Sequence, residues 1–327
     1  MMTMVTTRNV QRGFGRRLWL AAAIAASVGF GAGLPEAAAQ QKVELRIPYT
    51  PLITWLPFFM AVDEGILEKN GIGVTLTKFP NIADLPGTVG KQFDLAPTTA
   101  PDFLNAAAAG LNLAAVAGET VESSKNQSFQ VLVRADSDIK SPKDLSGKRI
   151  AGPGTGSVMH VALLYWVKLH GGDPASIVGV QVPFPNMADQ LKAGRVDAVE
   201  SLEPFVGPML AAGYRSLGDP LLSVADPVLF PFWIADADWA RKNRPVLKRF
   251  VASLEGGLAA IRADDKRARE VLAKYSGLPE AVVAKIPLPA YEFSITPAGI
   301  DVWRKVMISQ GRPLEKLDVQ QLVVTGD

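Results

Sequence analysis

The chain has 327 residues, 34 Lys and Arg against 32 Asp and Glu, a net charge of +2, and no cysteine. Without cysteine there is no disulfide framework, no thiol chemistry and no lipidation site, so the fold must rest on its hydrophobic core. Removing residues 1 to 39 takes away four Arg and one Glu and leaves a net charge of −1, which gives no cationic footprint for nucleic acid or an anionic membrane.

At the start, Arg8, Arg12, Arg16 and Arg17 precede an uncharged apolar run from Leu18 to Leu34 and then Ala37, Ala38 and Ala39. A basic region, an apolar region and an A-x-A exit predict a secretory signal peptide over residues 1–39, and hence a periplasmic protein. A membrane anchor fits less well, because Gly29, Gly31, Gly33 and Pro35 break a run shorter than the roughly 20 residues a spanning helix needs. The Arg16-Arg17 pair is compatible with either the general secretory or the twin-arginine route.

Val43, Leu45, Ile47 and Tyr49 alternate with Glu44, Arg46 and Pro48 and predict a first strand with one buried face. A loop from Thr50 to Thr54, a helix from Trp55 to Glu68 and a strand from Val74 to Phe79 follow. Asn81 is placed to cap a helix closing at Gly90, and Phe93 to Ala96 is a short strand. Thr98 and Thr99 before Pro101 mark a helix start, and that helix runs to Gly110. Ser141 to Asp144 resembles a capped turn, and Arg149 to Ala151 a strand. The turn Gly152 to Ser157 then opens a helix with Val158, Val161, Ala162, Tyr165, Trp166 and Leu169 on one face. Further on come a strand from Ile177 to Val182, a helix capped by Asn186, a strand from Ala198 to Ser201, a helix ending at Gly213 and a strand from Val228 to Ala235. From Trp239 the chain reads as helical almost to its end.

Alternating strands and helices predict an α/β fold with mainly parallel sheets. The helical finish suggests elements that return to the first part. Residues 42–131 and 229–327 are therefore expected to form one discontinuous lobe, and residues 132–228 the other.

Trp55-Leu56-Pro57-Phe58-Phe59-Met60-Ala61, then Glu64-Gly65-Ile66 and Asn70-Gly71-Ile72, resemble the opening of periplasmic solute-binding proteins of the nitrate, sulfonate and taurine ABC transporters. Phe93 to Ala96, Ser141 to Lys148, Gly154 to Ser157 and Leu191 to Ala198 resemble later segments of that family in the same order. The likeness extends to binding proteins for the pyrimidine precursor of thiamine. It implies a two-lobed periplasmic binding protein of the type II kind, with each lobe a mainly parallel sheet flanked by helices and the ligand cleft between the lobes. It also implies hinge closure on a small-molecule ligand, an ABC permease in the inner membrane as partner, and a monomer with no cofactor.

In open α/β sheets ligands settle outside the carboxyl ends of strands, where helix starts offer free N–H groups. Three such corners are expected to form the site. The first contributes Thr50, Leu52 and Trp55, the second Thr98 and Thr99, and the third Thr155, Gly156 and Ser157. Glu200 and Glu203 flank a strand end that should open into the cleft, where a carboxylate would suit an amine and oppose an anion. Phe232 and Trp55 are the expected cleft aromatics, and Asn186 is a further ligand-binding candidate. Each has a purely structural alternative: Ser157, one of the threonines and Asn186 as helix caps, the glutamates as caps or solvent-facing groups, the aromatics as core.

No Lys or Arg lies in the three corners, so an anion would be held by neutral donors alone. A small, partly apolar organic solute is the favoured ligand, planar and nitrogen-containing or carrying one carboxylate. The Gly-rich turn lacks a P-loop Lys and the full G-x-G-x-x-G pattern. His160 and His170 stand ten positions apart on one helix, about 15 Å along the axis, too far to share a metal. With no H-E-x-x-H or G-x-S-x-G motif, no catalytic centre is expected. The rivals kept open are a periplasmic sensor for a signalling receptor and an exported carboxylate hydrolase on the same fold.

Overall fold

The computed structural model describes residues 42–79 and 82–327; the expected signal peptide and the Asn81 cap lie outside them. The chain begins with β1 (Val43–Tyr49), a 3-10 turn at Ile53–Trp55, α1 (Leu56–Asp63), α2 (Ile66–Lys69) and β2 (Ile72–Lys78). The single helix expected from Trp55 to Glu68 is two, because Gly65 takes the left-handed conformation at φ 65° and turns the chain between them. β2 pairs in parallel with β1, Val43 opposite Ile72. A 3-10 segment, Ile82–Thr88, replaces the expected helix, and Pro86 within it has no N–H to give. Then follow β3 (Leu95–Thr98), α3 (Ala100–Ala108) and β4 (Leu113–Gly118).

Next come β5 (Thr120–Glu122), β6 (Phe129–Val133), a 3-10 turn at Pro142–Leu145, β7 (Arg149–Gly152), α4 (Val158–Leu169) and β8 (Val178–Gln181). After α5 (Phe184–Lys192) come β9 (Ala198–Leu202), α6 (Val206–Ala211), β10 (Arg215–Gly218), β11 (Val228–Leu229) and β12 (Phe232–Asp236). The end is helical as expected, with α7 (Ala237–Lys242), α8 (Arg244–Ala263), α9 (Asp265–Ser276), α10 (Glu280–Val283), the short β13 (Ala290–Tyr291) and α11 (Pro297–Ser309).

Two sheets organise these elements. In the first, β12 lies between β3 and β4, antiparallel to both, and the β1-β2 pair adjoins β3 through a bond from the Asp94 N–H to the Arg46 carbonyl at 2.9 Å. The second has the order β10-β6-β9-β7-β8, with β7 parallel to β8 and β9, and β6 antiparallel to β9 and β10. Each sheet thus takes its reversed strand from a connecting segment: β6 enters the second sheet and β12 returns to the first. A small sheet of β11, β5 and β13 ties the two connections together. The strand expected from Val228 to Ala235 is β11 and β12, interrupted at Phe230-Pro231, where Pro231 has no N–H for a ladder.

The packing explains the helices. Trp55, Phe58, Trp233 and Phe250 form one aromatic block, with centroids 5.1–5.5 Å apart for its closest pairs, and so hold α1 and α8 against β12. Helix α8 can approach because position 257 is glycine: a Cβ there would stand 2.0 Å from the Pro57 carbonyl oxygen. The buried face of α4 is wider than its expected stripe. Met159, Leu163 and Val167 are buried together with Val158, Val161, Ala162 and Trp166, whereas Leu169 is 56% exposed.

Candidate ligand cleft

The carboxyl ends of strands from both sheets face one cavity of about 250 Å³. All three expected corners reach it. Leu52 and Thr54 come from the loop after β1, Thr99 from the end of β3, and Gly156 and Ser157 from the turn after β7.

Local structure fixes each corner. Ser157 is the N-cap of α4, its Oγ accepting the His160 N–H at 3.2 Å. Thr99 is the N-cap of α3 by position, but its hydroxyl instead donates to Asp102 Oδ2 at 2.6 Å. Burial pushes the Asp102 carboxyl above its ordinary range, the Thr99 hydrogen bond lowers it, and Asp84 nearby raises it again. Thr54 is 4% exposed, and its Oγ1 has no hydrogen-bond partner among the described residues.

The rest of the wall is largely apolar. Ile82 and Ala83 come from the segment after β2, and Val158 and Met159 from the first turn of α4. Leu202 ends β9, and Phe230 and Pro231 stand where the chain returns to the first sheet. Phe184, at the start of α5, stacks on Phe205 with centroids 6.1 Å apart and planes at 9°. Gln181 adds an amide, and Pro153 and Gly154 add backbone. Of the residues on this wall only Asp102 is ionisable.

Several expected site residues lie elsewhere. Trp55 and Phe232, expected at the cleft, are 1% and 0% exposed: the first packs edge-on to Trp233, the second edge-on to Phe103 at 5.5 Å. Apolar rings next to a sheet are drawn into the core rather than to a wet edge. Thr98 is buried in β3 opposite Phe232. Thr50 is half-buried off the cavity wall, its Oγ1 without a partner among the described residues. Thr155 is exposed, with its methyl over Gly179. Asn186 does not cap α5, because Pro183 holds the N-cap position and Asn186 falls, exposed, inside the first turn.

The two glutamates also sit behind the wall. Glu200 is fully buried, with Oε1 2.8 Å from His160 Nδ1, and Oε2 has no partner among the described residues. Burial pushes its carboxyl up, and His160 pulls it back. The Glu200 carboxylate fills the space over Gly152, where a Cβ would be 2.2 Å from Oε2. Glu203 accepts the Gly207 N–H at 3.3 Å at the start of α6, and burial raises its carboxyl too.

Other buried acids cluster around the connecting strands. Glu119 is fully buried, takes the Trp233 indole N–H on Oε2, and is pushed well up by burial. Glu122 of β5 accepts the Ser128 N–H at 2.9 Å and its hydroxyl, and faces Asp219, which caps a 3-10 turn through the Leu221 N–H at 2.8 Å. Burial pushes Glu122 up to about 7, and burial together with Glu122 pushes Asp219 up to about 8. Among the described residues no group of three or more His, Cys, Asp and Glu could hold a metal, and no helix is long and apolar enough to cross a membrane.

Comparison with known proteins places this geometry. Residues 53–268 match the family model described as NMT1/THI5 like. The fold is that of the periplasmic aliphatic sulphonate binding protein SsuA from Escherichia coli, with a TM-score of 0.73, 23% identity, and cover of 86% of this chain and 97% of that one. The alkanesulfonate-binding protein SsuA from Xanthomonas axonopodis pv. citri bound to MOPS superposes with a TM-score of 0.68 at 24% identity, covering 88% and 98% of the two chains. An inferred ABC transporter periplasmic binding protein of Brachyspira hyodysenteriae is 23% identical over 70% of this chain and 68% of its own length.

Proposed function

The chain belongs to the NMT1/THI5-like family, and from that premise we propose that it is the substrate-binding component of an ABC importer, capturing a small organic solute in the periplasm. The observation that carries the reading is the convergence of strand-to-helix corners from two sheets on one small cavity. Transporter binding proteins among its relatives support the import role and a permease as partner.

In this reading one lobe is built on the sheet of β1 to β4 and β12, and the other on residues 129–218. The ligand bridges Leu52, Thr54 and Thr99 on one side and Gly156 and Ser157 on the other. Binding both walls gives the ligand a higher affinity for the closed form, and that difference drives closure about the β5 and β11 connections. The protein performs no chemistry on its solute.

A thermal-shift screen of the purified protein against sulfonates, carboxylates, nitrate, amines, pyrimidines and aromatic acids tests this. A ligand at 100 times its Kd adds about 2.7 kcal/mol to stability. A saturable shift with no product formed supports the reading; turnover of a compound, or no shift with any class, counts against it.

A further inference from the structure

We propose that the cleft is built for a solute carrying a cationic nitrogen on a compact apolar body, with Asp102 as the charge partner and Thr54 as a second polar contact. The inference rests on the ligand-binding reading of this cavity and names the class of ligand.

The wall residues contain no cation, and their one ionisable side chain is a carboxylate. An anionic ligand would meet Asp102 with only neutral donors to offset the repulsion. A cationic head would supply a counter-charge to Asp102, whose carboxylate takes a hydrogen bond from the neutral Thr99 hydroxyl. The helix start at Thr99 does not reverse this preference, because Asp102 lies in the first turn of α3 and offsets the partial positive charge of that end.

Thr54 is an independent pointer to a polar contact at this wall. A buried hydroxyl without a partner forfeits hydrogen-bonding free energy, and Thr54 is a residue of the cavity wall whose Oγ1 is closed off in this conformation and reaches the cavity by a rotation about its Cα–Cβ bond. Its oxygen can accept from an ammonium N–H. Phe184, Phe230, Leu202, Ile82 and Met159 supply an apolar surface for the body, and about 250 Å³ limits that body to the size of a single ring with a short arm.

A series with one body and three heads isolates the charge: benzylammonium, benzyl alcohol and phenylmethanesulfonate, titrated calorimetrically into the wild-type protein at neutral pH. The expected order is ammonium tightest and sulfonate weakest, with about tenfold or more between the ammonium and the alcohol. In Asp102→Asn the ammonium should lose that advantage while the alcohol keeps its affinity, and Thr54→Val should weaken the ammonium several-fold. Circular dichroism checks that both variants fold, and the wild-type series stands if either does not. Sulfonate binding at least as tightly as the ammonium would overturn the cationic class and leave the solute-binding function in place. Absence of binding by all three probes would also overturn the class, and the broad ligand screen would then decide the function separately.

Discussion

Asp219 and Glu122 are two buried acids close enough at the connections between the sheets for the charge of one to act on the other, and Asp219→Asn removes the capacity of that pair to carry a second negative charge. Asn keeps the side-chain oxygen that accepts the Leu221 N–H, so the turn at Pro220–Ser223 retains its cap. In the folded protein the pair holds a proton up to about 7 to about 8, whereas the unfolded carboxyls release theirs near 4. The folded state therefore binds more protons between these limits, and stability is fully present below the unfolded pKa and falls as pH rises through the folded one. Counted from pH 5 up to those folded values, one proton retained over two to three pH units corresponds to roughly 3 kcal/mol at about 1.4 kcal/mol per unit. At about 2 °C per kcal/mol for a chain of this size, the wild type should lose about 6 °C of Tm between pH 5 and pH 8 from this pair. Thermal melts across that range should show Asp219→Asn close to wild type at pH 5 and progressively more stable than it toward pH 8. Parallel curves for the two proteins, or a variant that falls behind as pH rises, would refute the shared proton.

Gly152→Ala should push the Glu200 carboxylate off His160 and cost about 1–3 kcal/mol, read by urea unfolding, and Glu200→Ala in the same chain should recover part of it. Gly257→Ala gains about 1 kcal/mol of helix propensity but sets a methyl against the Pro57 backbone; net destabilisation and a lower Tm are expected. Trp233→Phe leaves the fully buried Glu119 without its indole donor and should cost at least about 3 kcal/mol by denaturant titration, a buried acceptor and lost ring packing together. Ser157→Ala removes the cap of α4 at about 1 kcal/mol and should also weaken ligand binding, measured by calorimetry; unchanged affinity would take Ser157 out of the site.

Much of the fold was legible wherever local chemistry and periodicity agreed. Alternation from Val43 to Tyr49 marks β1, and Thr99 with Pro101 marks the start of α3. The strands that escaped did so for two reasons, a sequence with no strand signature in β4 and a strand-like run with no local partner in β6. β4 reads Leu-Ala-Ala-Val-Ala-Gly, which is fully buried and lacks β-branched alternation, and β6 acquires its meaning only from partners in β9 and β10 far along the chain. The expected lobe limit between residues 131 and 132 falls inside β6 for the same reason.

The site divided along similar lines. A strand end followed by a helix cap is a local pattern, and Leu52, Thr99, Gly156 and Ser157 stand on the cavity wall. Which side of a corner a residue faces is not local. Trp55 and Thr54 are neighbours, yet the ring goes to the core and the threonine to the cavity. Asp102 carried one signal that could have found it, an acid three positions after Thr99 in a helix start, where it also reads as an ordinary first-turn carboxylate. Gln181, Phe184 and Phe230 are set by the placement of the second sheet against the first, which no spacing in the sequence records.

The insertion of β12 between β3 and β4 has a consequence for the order in which the molecule is made. The second sheet draws on β6 to β10 alone, a continuous stretch that can pair as soon as it has been synthesised. The first sheet keeps an open seam down its middle until Phe232–Asp236 arrives, long after β3 and β4 have left the ribosome. Closure of that seam is a late, long-range step, so the chain is held short of its native state through most of its synthesis.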